Sequence, residues 1–596
     1  MNKLYTIVLL LIAAYVKAAP VIYVNQIGFD SKSPKMAVVQ FDSKLTKPFA
    51  FTLVNVATGK VAFTGMLNEP QTITDWAPGK LFMQADFTPF SSAGKYKLRI
   101  VYDKVTYTSY PFVIGENAVT RQTLSSIIHY YNKQRATTPG ELAADAKMQL
   151  FGSNERVDMR GGWCDASGDV SKYFSHLAYA NYFSPQQIPL VTWSMVSASE
   201  AIPQLLTKWK LKDSLDNEAL YGADYMVRAL SKDGYFYMIV FSYFNKDPNA
   251  RRVVGLLANS VTTNQYQCAF REGGGMAIAA LARISQWKKK GEFTSDQYLD
   301  AAKRGFAHLL QNNTKYDDDG KENIIDDYCA LMAATELWIA TNEDQYRDEA
   351  RKRAANLSKR MTPDGYFLSN DKGRPFFHAS DAGLPVVALT RYLAKEKDIT
   401  YRDPALRTIK QALDYNLAVT GRVSNPFGYA RQSFLFNGKV KDGFFIPHEN
   451  ETGWWWQGEN ARLGSLAAAA ILGGRVAYPS PGTWGTKATL AAYASQQLSW
   501  IMGCNPYDMC FVYGFGKNNV PYMQSNYGHG SERGGISNGI TGKNGSADGS
   551  GIDFKKEAAG DEWRWTEQWI PHAAWFLQAV AVMAQPADLS TTTGSN

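Results

Sequence analysis

Cysteine is scarce in this 596-residue chain, which has five, at positions 164, 268, 329, 504 and 510. An odd count leaves at least one thiol unpaired in an exported protein, and no two show the close CxxC spacing of a thiolate metal site. A disulfide framework is therefore excluded as the organising device, and a chain of this length does not need one. The thiols read as small buried apolar residues. Tight basic clusters are scarce too. The formal charge is +8, yet Lys288-Lys289-Lys290 is the one dense run. A solvated helix end explains that run, so no nucleic-acid partner is expected. No long apolar stretch follows the first twenty residues, so no transmembrane segment is expected.

That first stretch, MNKLYTIVLLLIAAYVKAAP, carries a lysine, an apolar run from Tyr5 to Val16 and small residues at its end. It reads as a signal peptide over 1–18, cut after Ala18, and predicts a secreted or periplasmic protein. The far end, PADLSTTTGSN, reads as a disordered tail over 586–596.

Two kinds of patterning lie between. Residues 19–115 hold about seven short β-rich runs, among them VIYVNQIGF, KMAVVQF and YKLRIVY, separated by turns such as Ala57-Thr58-Gly59-Lys60. That spacing predicts a small all-β immunoglobulin-like sandwich, with Tyr96 placed for a corner hydrogen bond. From 116 to 585 the apolar period becomes helical. A dozen helices are expected, beginning near Thr120, Val191, Ser214, Phe270, Asp296, Asn323, Asp344, Ser380, Pro404, Trp454, Thr486 and Thr566. Twelve helices in successive pairs predict an all-α (α/α)6 toroid. Long Gly-, Asn- and aromatic-rich connections around 140–190, 422–453 and 504–565 are where function is expected.

Two acidic motifs stand out. In Gly161-Gly162-Trp163-Cys164-Asp165-Ala166-Ser167-Gly168-Asp169 two carboxylates stand four apart beside a tryptophan. One can hold a water while the other takes its proton; a turn or a helix cap before Val170 is the alternative. In Trp563-Arg564-Trp565-Thr566-Glu567-Gln568-Trp569 an acid opens the last apolar helix among three indoles. Desolvation there keeps a carboxyl protonated, which suits a general acid, although the same residues are ordinary helix-start chemistry.

Together these motifs resemble glycoside hydrolase family 9. The opening Val21-Ile22-Tyr23-Val24-Asn25-Gln26-Ile27-Gly28-Phe29 is similar to the start of that family's accessory immunoglobulin-like domain. GGWCDASGD resembles its GGWYDAGD loop, and TEQWIPHAAWFLQAVA its terminal helix. FREGGGMAIAALA, FFHASDAGLPVVAL and MGCNPYDMCFVYGFG fall between them in family order. The resemblance implies an inverting hydrolase of β-1,4-glucosidic bonds in a glucan or its oligosaccharides. It makes Asp169 the general base, Asp165 the helper that shares its water and Glu567 the general acid. Inversion implies carboxylates roughly 6.5–9.5 Å apart.

The chain departs from the pattern in two places. Ser167 lengthens the aspartate loop, and the usual histidine-arginine segment is replaced by Tyr522–Arg533, where His529 and Arg533 are candidate substitutes. The longer loop, with PHENETGWWWQGENARL, is similar to a branch that includes exo-acting β-glucosidase- and β-glucosaminidase-like enzymes. Trp163, Trp455, Trp456, Glu459 and His378 are further candidates for sugar contact, with Glu449, Glu451 and Asp381 nearby. No cofactor or catalytic metal is required. The acidic run Asp317-Asp318-Asp319 fails calcium-loop spacing and reads as a solvated turn, with a structural calcium as the alternative. A non-catalytic carbohydrate-binding protein on the same scaffold, and a polysaccharide lyase, are the readings of other classes.

Overall fold

The structure, a computed structural model, describes residues 19–42, 48–176, 183–257, 260–317, 319–447, 449–450, 453–454, 457–543, 546–556 and 563–586. The expected signal peptide, Asp318, Glu451, Trp455, Trp456 and the tail from 587 lie outside them.

The first part is built from ten strands: β1 (Val21–Tyr23), β2 (Gly28–Asp30), β3 (Met36–Phe41), β4 (Ala50–Asn55), β5 (Val61–Met66), β6 (Gln71–Ile73), β7 (Ala77–Asp86), β8 (Gly94–Tyr102), β9 (Val105–Thr108) and β10 (Phe112–Gly115). One sheet runs β1-β3-β7-β6 and the other β2-β10-β8-β4-β5, with β9 added to β8. Alternate residues such as Val39, Phe51, Leu98 and Phe112 fill the space between the sheets, as the period-two pattern requires. The Tyr96 hydroxyl donates to the Ala93 carbonyl at 3.4 Å, a short-range contact. The sandwich is not an appendage. Trp76 leaves its own sheet to pack on Phe427, Phe444 and Trp500, and Gln26 donates to the Asp508 side chain at 2.8 Å.

The rest is mostly helical: α1 (Ala118–Gln134), α2 (Pro139–Asp145), α3 (Ile188–Ala201), α4 (Pro203–Lys208), α5 (Lys212–Arg228), α6 (Gly275–Ile284), α7 (Ser295–Tyr316), α8 (Ile324–Thr341), α9 (Asp344–Lys359), α10 (Leu384–Lys395), α11 (Ile399–Gly421), α12 (Asn460–Ala477), α13 (Ala488–Ile501), α14 (Trp563–Thr566) and α15 (Ile570–Ala584). Helix α3 packs on α6, α6 on α8, α8 on α10, α10 on α12, α12 on α15, and α15 returns to α3. Those six are the apolar helices whose small residues let axes approach closely. At Gly464, a Cβ would lie 3.0 Å from the Cβ of Trp575 on α15. Helices α1, α5, α7, α9, α11 and α13 pack around them.

Three expectations are corrected here. The helix expected near Trp454 begins at Asn460, and the last helix begins at Ile570 rather than Thr566. Pro571 sits in the first turn of α15, where its missing N–H costs nothing, and the residues before it pair as extended chain. The acidic run is only in part the expected solvated turn: Asp319 and Gly320 are exposed, but Asp317 is buried, with Oδ1 3.1 Å from Arg271 Nε.

All five cysteines are free and buried. No helix among the described residues is long and apolar enough to cross a membrane.

Candidate active site

A short sheet positions the aspartate loop. Strand β13 (Lys172–Tyr173) pairs antiparallel with β14 (Ile239–Phe241), which pairs with β15 (Arg252–Leu257). The loop ahead of β13 then closes on itself. Ala166 N–H donates to the Asp169 carbonyl at 3.1 Å, and Asp165 N–H to the Ser171 carbonyl at 2.9 Å.

Three donors converge on the Asp169 carboxylate. Ser171 N–H and the Ser242 hydroxyl donate to Oδ1 at 2.8 and 3.1 Å, and the Tyr173 hydroxyl donates to Oδ2 at 3.0 Å. Hydrogen bonds to an anion are short and strong, so the carboxylate is fixed in direction. Asp165 is set differently. Its Oδ1 accepts from the Trp569 indole at 2.9 Å and from the Gln187 amide. Burial, then the negative charges of Asp169 and Glu567, push its carboxyl well above the usual range.

Glu567 lies on the extended stretch between α14 and α15, not within a helix. Its carbonyl accepts from Asn538 N–H at 2.9 Å. Burial, reinforced by Asp169, raises its carboxyl to about 8, against hydrogen bonds from Asn538 and the Gly168 N–H. It therefore carries a proton at neutral pH, as a general acid must. Gly168 is needed for the approach, because a Cβ there would stand 3.0 Å from Glu567 Oε1 and 3.0 Å from Met523 Sδ.

The additional residue of the loop has a definite task. Ser167 N–H donates to the Gln568 carbonyl at 2.9 Å, and the Ser167 hydroxyl accepts from Gln568 N–H at 2.9 Å. A bridge between Ala166 and Trp569 continues the pairing. The aspartate loop is thus zipped to the residue beside Glu567. Ser167→Ala is expected to lower the unfolding free energy by about 1–3 kcal/mol, since it strands a buried N–H. Urea unfolding of the variant, with no destabilisation, would remove this role.

The expected sugar contacts fare unevenly. Trp163 is fully buried, and its indole N–H donates to Glu218 at 3.1 Å; it is core, not cleft wall. His378 is also fully buried. Its Nδ1 accepts from the N–H groups of Ser380 and Asp381 at 2.9 and 2.7 Å, and Nε2 donates to the Phe183 carbonyl. Asp381 in turn accepts from the Trp575 indole at 2.8 Å, so this pair ties the start of α10 to α15. Glu459 is bound to Arg462 at 2.5 Å and to Ile446 N–H at 2.6 Å.

The two candidate substitutes also turn elsewhere. Arg533 stacks over Phe515 at 4.2 Å. His529 lies 3.0 Å from both Glu141 oxygens, with Nδ1 on the Lys133 carbonyl at 2.9 Å. Burial opposes both charges of that pair. His529 and Thr138 nevertheless bring Glu141 down to about 2, and Cys164 first, then Glu141, raise His529 to about 11. Glu141, Cys164 and His529 bring their ligand atoms within 4.8 Å of one another. Among the described residues they are the group that could hold a metal ion.

Other residues of the site had no signal in the sequence. Ser242, Tyr173, Gln187 and Asn538 are single polar residues in unrelated segments. Tyr243 and Phe244, beside Ser242, are exposed by 37% and 59% and both have φ of 53°. Two aromatic residues in the left-handed region are unusual. Asn526 donates to the Phe244 carbonyl at 3.1 Å and the Tyr527 hydroxyl to the Asn245 carbonyl at 3.0 Å, so the segment around 523–527 bridges from Gly168 to this turn.

Comparison with known proteins shows the family and the fold. The profile of Glycosyl hydrolase family 9 matches residues 121–548, and that of a cellulase N-terminal ig-like domain matches residues 17–104. A cellodextrinase of Butyrivibrio fibrisolvens is 31% identical over 180 residues, a stretch that spans 27% of this chain and 30% of that protein. A metagenome-derived glycoside hydrolase family 9 endoglucanase shares the fold with a TM-score of 0.67 and 16% identity, over 95% of this chain and 99% of its own. Bacteroides ovatus GH9 does so with a TM-score of 0.62 and 18% identity, over 95% and 99%. With the greater part of its length matched by one profile, the chain belongs to glycosyl hydrolase family 9 and is a glycoside hydrolase.

Proposed function

We propose that the protein is exported and hydrolyses β-1,4-glucosidic bonds of a glucan or its oligosaccharides with inversion at the anomeric carbon. The observation that carries this reading is the unequal environment of two carboxyls tied together by Ser167. Glu567 is buried and holds a proton to about pH 8, while Asp169 receives three donors. In this reading Glu567 gives its proton to the glycosidic oxygen as the bond to the anomeric carbon breaks. A water on the opposite face attacks that carbon and loses its proton to Asp169, with Asp165 sharing the water. The products are a shortened saccharide with a free hydroxyl and a hemiacetal of inverted configuration.

The circuit of six inner helices is read as the (α/α)6 toroid, with the site at one end of it. The names of the relatives, a cellodextrinase and an endoglucanase, support a β-glucan or cello-oligosaccharide as substrate. Tyr243 and Phe244 are proposed to meet sugar rings, as exposed aromatic faces beside a base are suited to do.

Proton NMR of fresh product from a cello-oligosaccharide tests the mechanism. An initial α-anomer is expected, and an initial β-anomer would rule inversion out. Product sizes from cello-, mixed-linkage and chitosan oligosaccharides test the substrate, and cleavage of chitosan oligosaccharides alone would overturn the glucan assignment.

A further inference from the structure

The first turn of α15 carries a buried histidine that the reaction as drawn does not use. His572 is 1% exposed, with its ring 5.3 Å from that of Trp569 in an edge-on contact. Burial alone pulls it down to about 3, so the ring is neutral and holds a single ring N–H. Its Nε2 lies 2.8 Å from Asn538 Oδ1.

The amide of Asn538 is fixed from both ends. Nδ2 donates to the Trp563 carbonyl at 2.7 Å and to the Glu567 carboxyl, which uses both of its protons. The Trp563 carbonyl offers only lone pairs, so the nitrogen end of the amide faces it and Glu567, and the oxygen end is left to His572. An amide oxygen only accepts, so the imidazole proton is on Nε2. The backbone adds to the grip: Asn538 N–H donates to the Glu567 carbonyl at 2.9 Å, and the Asn538 carbonyl accepts from Asn460 N–H at 3.3 Å.

We propose that Asn538 and His572 are a positioning pair for the acid, in which His572 holds the Asn538 amide so that its nitrogen end receives the Glu567 carboxylate as the proton leaves. The inference rests on the role of Glu567 as general acid. Charge appearing on a buried carboxylate is costly, and a donor already aimed at it lowers that cost without reorganisation. The Gly168 N–H is the second such donor. Asp169 and Asp165 oppose both with like charge, and Tyr130 of α1 faces the same carboxyl. Without the His572 proton the amide oxygen would be a stranded buried acceptor. Turning it toward Glu567 would satisfy it only while that carboxyl is protonated. His572 stays neutral throughout, and no proton passes along the pair.

Full-length Asn538→Leu, His572→Phe and His572→Gln test this by two readouts. One is the infrared band of the protonated carboxyl that is lost in Glu567→Gln, followed against pH. The other is the alkaline limb of kcat/KM on a cello-oligosaccharide. In Asn538→Leu both should move up by about one pH unit, and kcat should fall by about tenfold with KM nearly constant, as for loss of one hydrogen bond to an anion. His572→Phe should shift both the same way by about half a pH unit. His572→Gln, whose amide still donates to Oδ1, should restore the parental values. A band unmoved in His572→Phe, or moved equally in both His572 variants, would overturn the pairing, and these two variants decide it even if Asn538→Leu does not fold. A band that moves while the limb stays would overturn the acid assignment and leave the pairing standing.

Discussion

Asp169→Asn and Glu567→Gln should each lower kcat/KM on a cello-oligosaccharide by roughly 10²–10⁴-fold, the range that a positioned acid or base contributes. That corresponds to about 3–5.5 kcal/mol of barrier. Both substitutions keep the shape of the side chain, so circular dichroism should not change. The two variants should part on an aryl glycoside whose leaving group needs no proton. Glu567→Gln should recover most of its activity there, and Asp169→Asn should not. The pH profile gives a second separation. In its proposed role as acid Glu567 acts while protonated, and burial raises its carboxyl to about 8, so parental kcat/KM should fall as pH rises through that value. The residual activity of Glu567→Gln should lack that alkaline limb. Equal losses on both substrates, or an unchanged limb, would overturn the assignment of acid and base. The same group makes folding pH-dependent. Between the ordinary 4.5 and about 8 the folded chain keeps a proton that the unfolded chain releases, so stability falls as pH rises across that window.

Asp145→Asn is the substitution expected to cost most in stability, about 3–5 kcal/mol. The side chain is fully buried and serves as the anion for both Lys172 and Arg251. Lys172 gains further support from the carbonyls of Met159 and Gly161 at 2.5 and 2.9 Å and from the Tyr225 ring at 4.8 Å, but none of these carries a full negative charge. Burial already pulls Lys172 below the ordinary lysine value, and losing Asp145 removes the main opposing influence. Lys172 precedes Tyr173, which donates to Asp169, so activity should decline before global unfolding. Urea unfolding and residual activity measured together check this. A variant as stable as its parent would mean that the cluster is neutral without its carboxylate.

Much of this architecture was legible in the sequence because it rests on local period. The alternation in VIYVNQIGF and the three-and-four spacing in ARLGSLAAAAIL depend on neighbours in the chain, and both elements are present. The two motifs that hold Asp165, Asp169 and Glu567 were legible as motifs, and the loop and strand that carry them do meet. The errors have one physical cause. Trp163, His378 and Glu459 were chosen because aromatic and ionisable residues near a motif suit a sugar site. Each instead satisfies a buried partner: Glu218 and Phe183 come from distant segments, and Arg462 from the next turn of α12. Ser242 and Gln187 were missed for the converse reason. A lone serine or glutamine has no local pattern, and what matters is which carboxylate the fold brings to it. Glu567 was assigned to a helix because its helix-favouring neighbours outweighed, in a local reading, the pairing of Gln568 with Ser167.

That pairing joins residues 401 positions apart, and it has a consequence for the order of events during synthesis. The proposed base, Asp169, lies ahead of α3, and the proposed acid, Glu567, lies directly ahead of α15. Loop closure over such a span comes late, and nascent chains fold from the amino terminus onward. A growing or truncated polypeptide can complete its sandwich and most of its helices while half of the reaction centre does not yet exist. On the proposed roles, catalytic competence therefore waits for α15 to close against α3, after the sandwich and the other inner helices are in place.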